Sequence, residues 1–117
     1  MTTPREIYER SLEALKVIKD AQARGGLIHR TPLIRSETLS GIAGANVWLK
    51  LEALQKTGSF KVRGAYFAIN NIANRLGAGH VVTASAGNHA QGVAYSASLV
   101  GIKATVVMPQ YTPPGLR

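Results

Sequence analysis

No cysteine occurs in the 117 residues, which excludes disulfides and thiolate metal sites and is compatible with a reducing cytoplasm. Long apolar runs are missing too: the N-terminus lacks the hydrophobic stretch of a secretion signal, and no segment approaches the roughly 20 apolar residues of a membrane span. The expectation is a soluble, intracellular, cytoplasmic protein with no membrane partner. Acidic residues are scarce, six against fourteen lysines and arginines, for a net charge of +8. Such an excess raises nucleic-acid binding as a possibility. The basic residues, however, are scattered from Arg5 to Arg117 without a cluster, and aromatics to stack on bases make up only 6% of the chain. A solvated surface, with no nucleic-acid partner, is the expected reading.

What remains is an ordinary globular composition. Apolar residues make up 45% of the chain, enough to argue against disorder, and the length suits one modest domain with its own core. Thr3-Pro4-Arg5-Glu6 has the form of a capping box, with Thr3 as N-cap and Pro4 at the first helical position. Tyr8, Leu12, Leu15 and Ile18 then share one helical face, and Gly25-Gly26 ends the helix after Arg24. His29 to Leu33 should be extended, because Pro32 pushes Thr31 away from helical angles. Ile34 to Leu39 reads as a short strand or turn.

From Val47 the pattern becomes regular. Val47 to Leu51 reads as a strand, Phe60 to Arg75 as a helix with an inner face of Val62, Ala65, Tyr66, Ile69 and Ala73, and Val81 to Ala84 as a strand. A helix from Asn88 to Val100 ends at Gly101, and Ala104 to Met108 is a further strand. This alternation predicts an α/β fold, a parallel sheet with flanking helices. Small residues along the second of these helices, among them Ala90, Gly92, Ser96 and Ala97, should let its backbone lie close against the sheet.

The most informative stretch is Ser59-Phe60-Lys61-Val62-Arg63-Gly64-Ala65, which sets Lys61 at the mouth of a helix after a Thr57-Gly58 turn. Only the neutral amine of a lysine attacks a carbonyl, and the usual pKa of about 10.4 keeps it protonated. A helix N-terminus carries roughly half a positive charge, and Arg63 adds a full one nearby; both disfavour the ammonium. The alternative is a solvated first-turn lysine. Further on, Ser85-Ala86-Gly87-Asn88-His89 sits where a strand feeds a helix whose first amides lack intrahelical partners, an arrangement suited to an anion such as a substrate carboxylate. Ser85 can add a hydroxyl, and Gly87 permits close approach. Asn88 could instead cap its helix, and His89 could cap or pack it.

Thr57 to Ala65, followed by Thr83-Ala84-Ser85-Ala86-Gly87-Asn88-His89-Ala90-Gln91-Gly92, resembles the two signatures of the fold type II pyridoxal-phosphate enzymes, in the expected order and closest to the threonine dehydratases. Flanking similarities are Thr31-Pro32-Leu33, Leu49-Lys50-Leu51-Glu52 and Val107-Met108-Pro109, so the resemblance runs from Ile7 to Pro113. It implies the tryptophan synthase β-like fold and pyridoxal 5'-phosphate as cofactor. Lys61 would form the Schiff base and act as acid and base at the α-carbon, Phe60 would pack beside the ring, and Asn88 would hydrogen-bond the phenolic oxygen. Ser85, Ala86, Gly87, Asn88 and His89 would hold the substrate carboxylate. No metal site is implied.

The activity implied is α,β-elimination of L-threonine, and of L-serine, to 2-oxobutanoate or pyruvate plus ammonia, in isoleucine biosynthesis or threonine catabolism. The full-length form would be a homo-oligomer acting on a small amino acid. Serine dehydratase or racemase activity is the alternative, although Ala86 stands where racemase-like relatives carry a hydroxyl, which disfavours racemisation. A non-catalytic fragment that keeps the scaffold is another. Thr112-Pro113 has the form of a helix opening, yet Pro114-Gly115-Leu116-Arg117 follows, and no glycine-rich phosphate loop occurs within the 117 residues. The expectation is therefore that residues 1–117 are the N-terminal part of a catalytic domain and, alone, hold the cofactor poorly.

Overall fold

In the computed structural model, which describes residues 2–116, the chain begins with helix α1, Pro4–Ala23. Its capping box forms as the sequence requires. The Thr3 hydroxyl accepts the Glu6 amide at 3.2 Å, and the Glu6 carboxylate accepts the Thr3 amide at 2.6 Å, contacts that hold the Glu6 carboxyl below its usual range. Gly25 and Gly26, at φ of 69° and 70°, turn the chain out of the helix in a conformation that other residues rarely adopt. The apolar face behaves differently from expectation. Tyr8, Leu12 and Leu15 stay exposed, because only the C-terminal half of α1, through Val17, Ile18 and Ala21, packs on the body.

The segment Ile34–Leu39 divides between two elements. Strand β1 is Leu33–Arg35, and a helix the pattern did not suggest, α2 at Glu37–Ala43, follows at once. Ser36 is its N-cap, accepting the Leu39 amide at 3.3 Å, and Gly44 ends it in the left-handed region. Strand β2, Trp48–Lys50, does not open the parallel series. It pairs antiparallel with β1, Leu33 opposite Lys50 and Arg35 opposite Trp48, because the short α2 returns the chain alongside β1. The Ser36 amide, which donates to the Val47 carbonyl at 2.9 Å, extends that ladder.

After a 3-10 turn at Glu52–Leu54 come α3 (Lys61–Leu76), β3 (His80–Ala84), α4 (Asn88–Val100) and β4 (Lys103–Val107). Here the parallel expectation holds. β3 and β4 pair in parallel from His80 opposite Lys103 to Ala84 opposite Val107, with α4 as the crossover. One core cluster lies where α3 meets α4 over the sheet, built on Ala65, Ile69, Val93 and Ala97 with Val81 and Ala104 against it. A second, on Ala21, Ile28, Val62 and Tyr66, joins α3 to the end of α1. The small residues of α4 serve a helix–helix approach more than a helix–sheet one: a Cβ on Gly92 would stand 3.3 Å from the Val62 nitrogen of α3.

The outward positions of the parallel pair, Val82 and Val107, are exposed. Near the end of the chain the Thr112 hydroxyl donates to the Pro109 carbonyl at 2.7 Å, and a 3-10 turn at Pro114–Leu116 stands where a helix was announced; Arg117 lies outside the described residues. Among the described residues no helix is long and apolar enough to cross a membrane.

Candidate active site

The approach to Lys61 is built by a sharp turn. Gly58, at φ 66°, donates its amide to the Gln55 carbonyl at 2.9 Å. The hydroxyl of buried Ser59 then accepts the Lys61 amide at 3.1 Å, satisfying one of the donors that open α3. Phe60, expected to begin the helix, is its N-cap; Lys61 is the first helical residue, and its Nζ stands 5.2 Å from the centroid of the exposed Phe60 ring, within cation–π range.

Both side chains border a cleft of about 430 Å³, within the range of small-molecule sites. Its wall from α3 is kept low by Gly64 and Ala68, β3 contributes Val81 and Thr83, and α4 contributes His89 and Val93. Among the described residues no carboxylate lines it, and the last acidic residue in the sequence is Glu52. A cleft with a lysine, a histidine and no acid favours an anionic ligand.

The second motif occupies the turn between β3 and α4, at the C-terminal end of a parallel strand, where ligands of open α/β sheets bind. Ser85 takes the capping role that was the alternative reading of Asn88. Its Oγ accepts the amides of Gly87 and Ala90, each at 3.3 Å, and so caps a helix whose N-cap residue, Gly87, has no side chain. The amides of Asn88 and His89, the first two of α4, keep no intrahelical acceptor. Their side chains are exposed and free of the capping role.

The structure thus brings Phe60, Lys61 and His89 to one cleft. Ser85, Ala86, Gly87 and Asn88 belong to the adjoining turn and do not line it.

Arg63 departs from expectation. Its guanidinium grips Glu52 with two arms, Nε to Oε2 at 2.9 Å and Nη2 to Oε1 at 2.8 Å, so it does not stand as a free charge beside the lysine. Glu52 also accepts from the Thr31 hydroxyl and from Gln55 Nε2 at 3.3 Å. Buried Gln55 in turn spans the His29 backbone, accepting its amide at 2.7 Å and donating to its carbonyl at 3.0 Å. The Arg63 hydrogen bond, foremost, holds the Glu52 carboxyl down at about 2, against the desolvation that would raise it. Sequence reasoning had taken Glu52 only as part of a flanking similarity. Its partner lies eleven residues away on another element, beyond the Gly58 turn, so no single element's periodicity links the two.

Comparison with known proteins bears on the family. Residues 25–117 match the family model described as pyridoxal-phosphate dependent enzyme. The L-threonine ammonia-lyase of Thermotoga maritima is 52% identical over 100 residues, covering 85% of this chain; the chain spans about a quarter of the length of that relative, 25%. Among solved structures, the processed form of threonine deaminase isoform 2 from Solanum lycopersicum superposes with a TM-score of 0.76 at 35% identity, covering 97% of this chain and 30% of that one. Maize serine racemase gives a TM-score of 0.70 at 39% identity, covering 86% and 31%. With residues 25–117 matched by that family model and a relative 52% identical over 85% of its length, the chain belongs to the pyridoxal-phosphate dependent enzyme family.

Proposed function

We propose that this sequence carries the lysine-bearing part of an enzyme that deaminates L-threonine, and L-serine, by α,β-elimination. The observation that carries the reading is that Lys61 and His89, one from each motif, border the same cleft. The family depends on pyridoxal phosphate, and the residues present fit it. The cleft has room for a substituted aromatic ring, a lysine amine stands at its edge over Phe60, and the Asn88 and His89 amides face no intrahelical partner. In addition, Thr57 Oγ1, four residues before the lysine, is buried without a hydrogen-bond partner among the described residues.

Lys61 would hold the cofactor's aldehyde carbon through Nζ, Phe60 would pack on the ring, and Asn88 would hydrogen-bond its phenolic oxygen. When bound, the cofactor supplies an electron sink for the substrate α-carbon. The turn Ser85–His89 would fix the substrate carboxylate through its amides, which orients the α-hydrogen. Nζ of Lys61 would act as the base that takes the proton from the substrate α-carbon. Loss of the β-hydroxyl as water, followed by uptake of one water in hydrolysis, would yield the 2-oxo acid and ammonia.

Racemisation is the second reading, favoured by the likeness to maize serine racemase. It would require a proton carrier on the face opposite Lys61, and Ala86 has none. We further propose that residues 1–117 form the N-terminal part of the catalytic domain; the exposed Val82 and Val107 on the outer face of the parallel pair support its continuation into a larger packed layer.

The test is borohydride reduction of the full-length protein with pyridoxal phosphate, followed by peptide mapping. Label on Lys61, with L-threonine and L-serine converted to 2-oxo acids and no D-isomer, is expected. Label on Lys50 or Lys56 instead would overturn the site, and a D-amino acid product would overturn the reaction.

A further inference from the structure

Side chains two positions apart on a helix point to opposite sides, and the first turn of α3 uses both. Lys61 borders the 430 Å³ cleft shared with His89, whereas Arg63 borders a separate cleft with Leu15, Ile18 and Arg30. On that far side Arg63 is held by Glu52, and both side chains are largely shielded, 24% and 15% exposed. Glu52 is itself fixed by Thr31 and by Gln55, which is bonded to the His29 backbone.

From this arrangement we infer that the two-armed Arg63–Glu52 pair is a clamp that positions Lys61, gripping the first turn of its helix from the side away from the chemistry. The inference rests on the reading of Lys61 as the cofactor-binding lysine. The reasons are geometric. Phe60, the residue flanking α3, offers no side-chain cap, and the Ser59 hydroxyl satisfies only the Lys61 amide. Helix ends fray unless their first turn is tied down. Among the described residues the other side-chain hydrogen bond on this turn acts through Ser59 and stays local, whereas the guanidinium, beside the packing of Val62 on Ile28, ties the helix start to the Glu52–Leu54 turn and through Glu52 to Thr31. A bidentate fork sets direction as well as distance, which a lysine ammonium in the same place cannot do. Arg63 and Glu52 are accordingly positioning residues and touch no reacting atom.

The experiment compares wild-type full-length protein with Arg63→Lys and Glu52→Gln. Amide hydrogen exchange is followed over residues 61–65, with the β3 residues 80–84 as internal reference, alongside the rate at which borohydride-trapped pyridoxal phosphate accumulates on Lys61. The clamp requires exchange in the first turn of α3 to rise about tenfold in both variants while that of β3 is unchanged, and labelling of Lys61 to slow by a similar factor. Should either variant fail to fold, the other supplies the comparison. If both fail, full-length Glu52→Asp, which keeps the charge but shortens the reach, is read in the same way. Equal exchange and equal labelling in a folded variant overturn the clamp. So does a rise in exchange spread evenly over β3 and α3, which marks general destabilisation. Failure of the underlying reading looks different, since wild-type protein would then take no label at Lys61.

Discussion

Gly92 of α4 lies against the backbone of Lys61: a Cβ at position 92 would come within 3.4 Å of the Lys61 carbonyl carbon and 3.3 Å of the Val62 nitrogen. The two signature segments are thereby in van der Waals contact, and the contact is with main chain that cannot swing aside. Gly92→Ala gains roughly 1 kcal/mol of helix propensity and loses a similar amount by crowding. Gly92→Val has no such offset and should cost about 1 to 3 kcal/mol. Thermal melting of the full-length variants checks this; a valine variant as stable as wild type would show that the helices part without cost.

The Glu52 carboxyl gives the fold a pH dependence of known sign. Its pKa is held at about 2 in the folded protein, below the ordinary carboxylate value of 4.5. A depressed carboxylate stabilises fully above the unfolded value, and its contribution shrinks as pH falls from 4.5 towards 2, where the folded form finally takes the proton. The contribution at neutral pH is on the order of 2 to 3 kcal/mol. The melting-temperature gap between wild type and Glu52→Gln should therefore be widest at pH 6 and narrow towards pH 2.5. A gap that stays constant over that range would contradict the assignment.

Ser85 anchors the turn that begins α4 by accepting two amides. Ser85→Ala leaves both without that acceptor and should cost about 1 kcal/mol, the usual scale of a lost helix cap. Because the same turn would receive the substrate carboxylate, KM for L-threonine should rise more than kcat falls. Kinetics of the full-length variant separate the two, and an unchanged KM would argue that the carboxylate binds elsewhere.

Ala86 offers a gain-of-function check. Ala86→Ser in the full-length enzyme should add measurable D-serine formation from L-serine while elimination continues. Chiral chromatography of the products is the readout, and elimination without any D-isomer would show that a hydroxyl at this position does not reach the α-carbon.

Much of the fold was legible because its signals are local. The Thr3–Glu6 box, the Gly101 and Gly25-Gly26 stops, and the alternation from α3 to β4 each depend on a few neighbouring residues, and each formed as read. Helix α2 was missed because it is short, carries Gly41 inside it, and announces itself only by Ser36-Glu37 and Gly44. The partner of β2 was misassigned because strand pairing is a long-range choice that its own residues do not encode. At the site, Lys61 and the Ser85–His89 turn stood out by residue type and order. The Arg63–Glu52 pair did not, since it exists only once two elements meet.

The central claim is that the Lys61 amine carries the chemistry. The most direct test is Lys61→Ala in the full-length protein, assayed for 2-oxobutanoate release from L-threonine with pyridoxal phosphate present and folding confirmed by melting. A group that serves as covalent anchor and as base should cost at least about a thousandfold in turnover when removed. Turnover within tenfold of wild type would contradict the account.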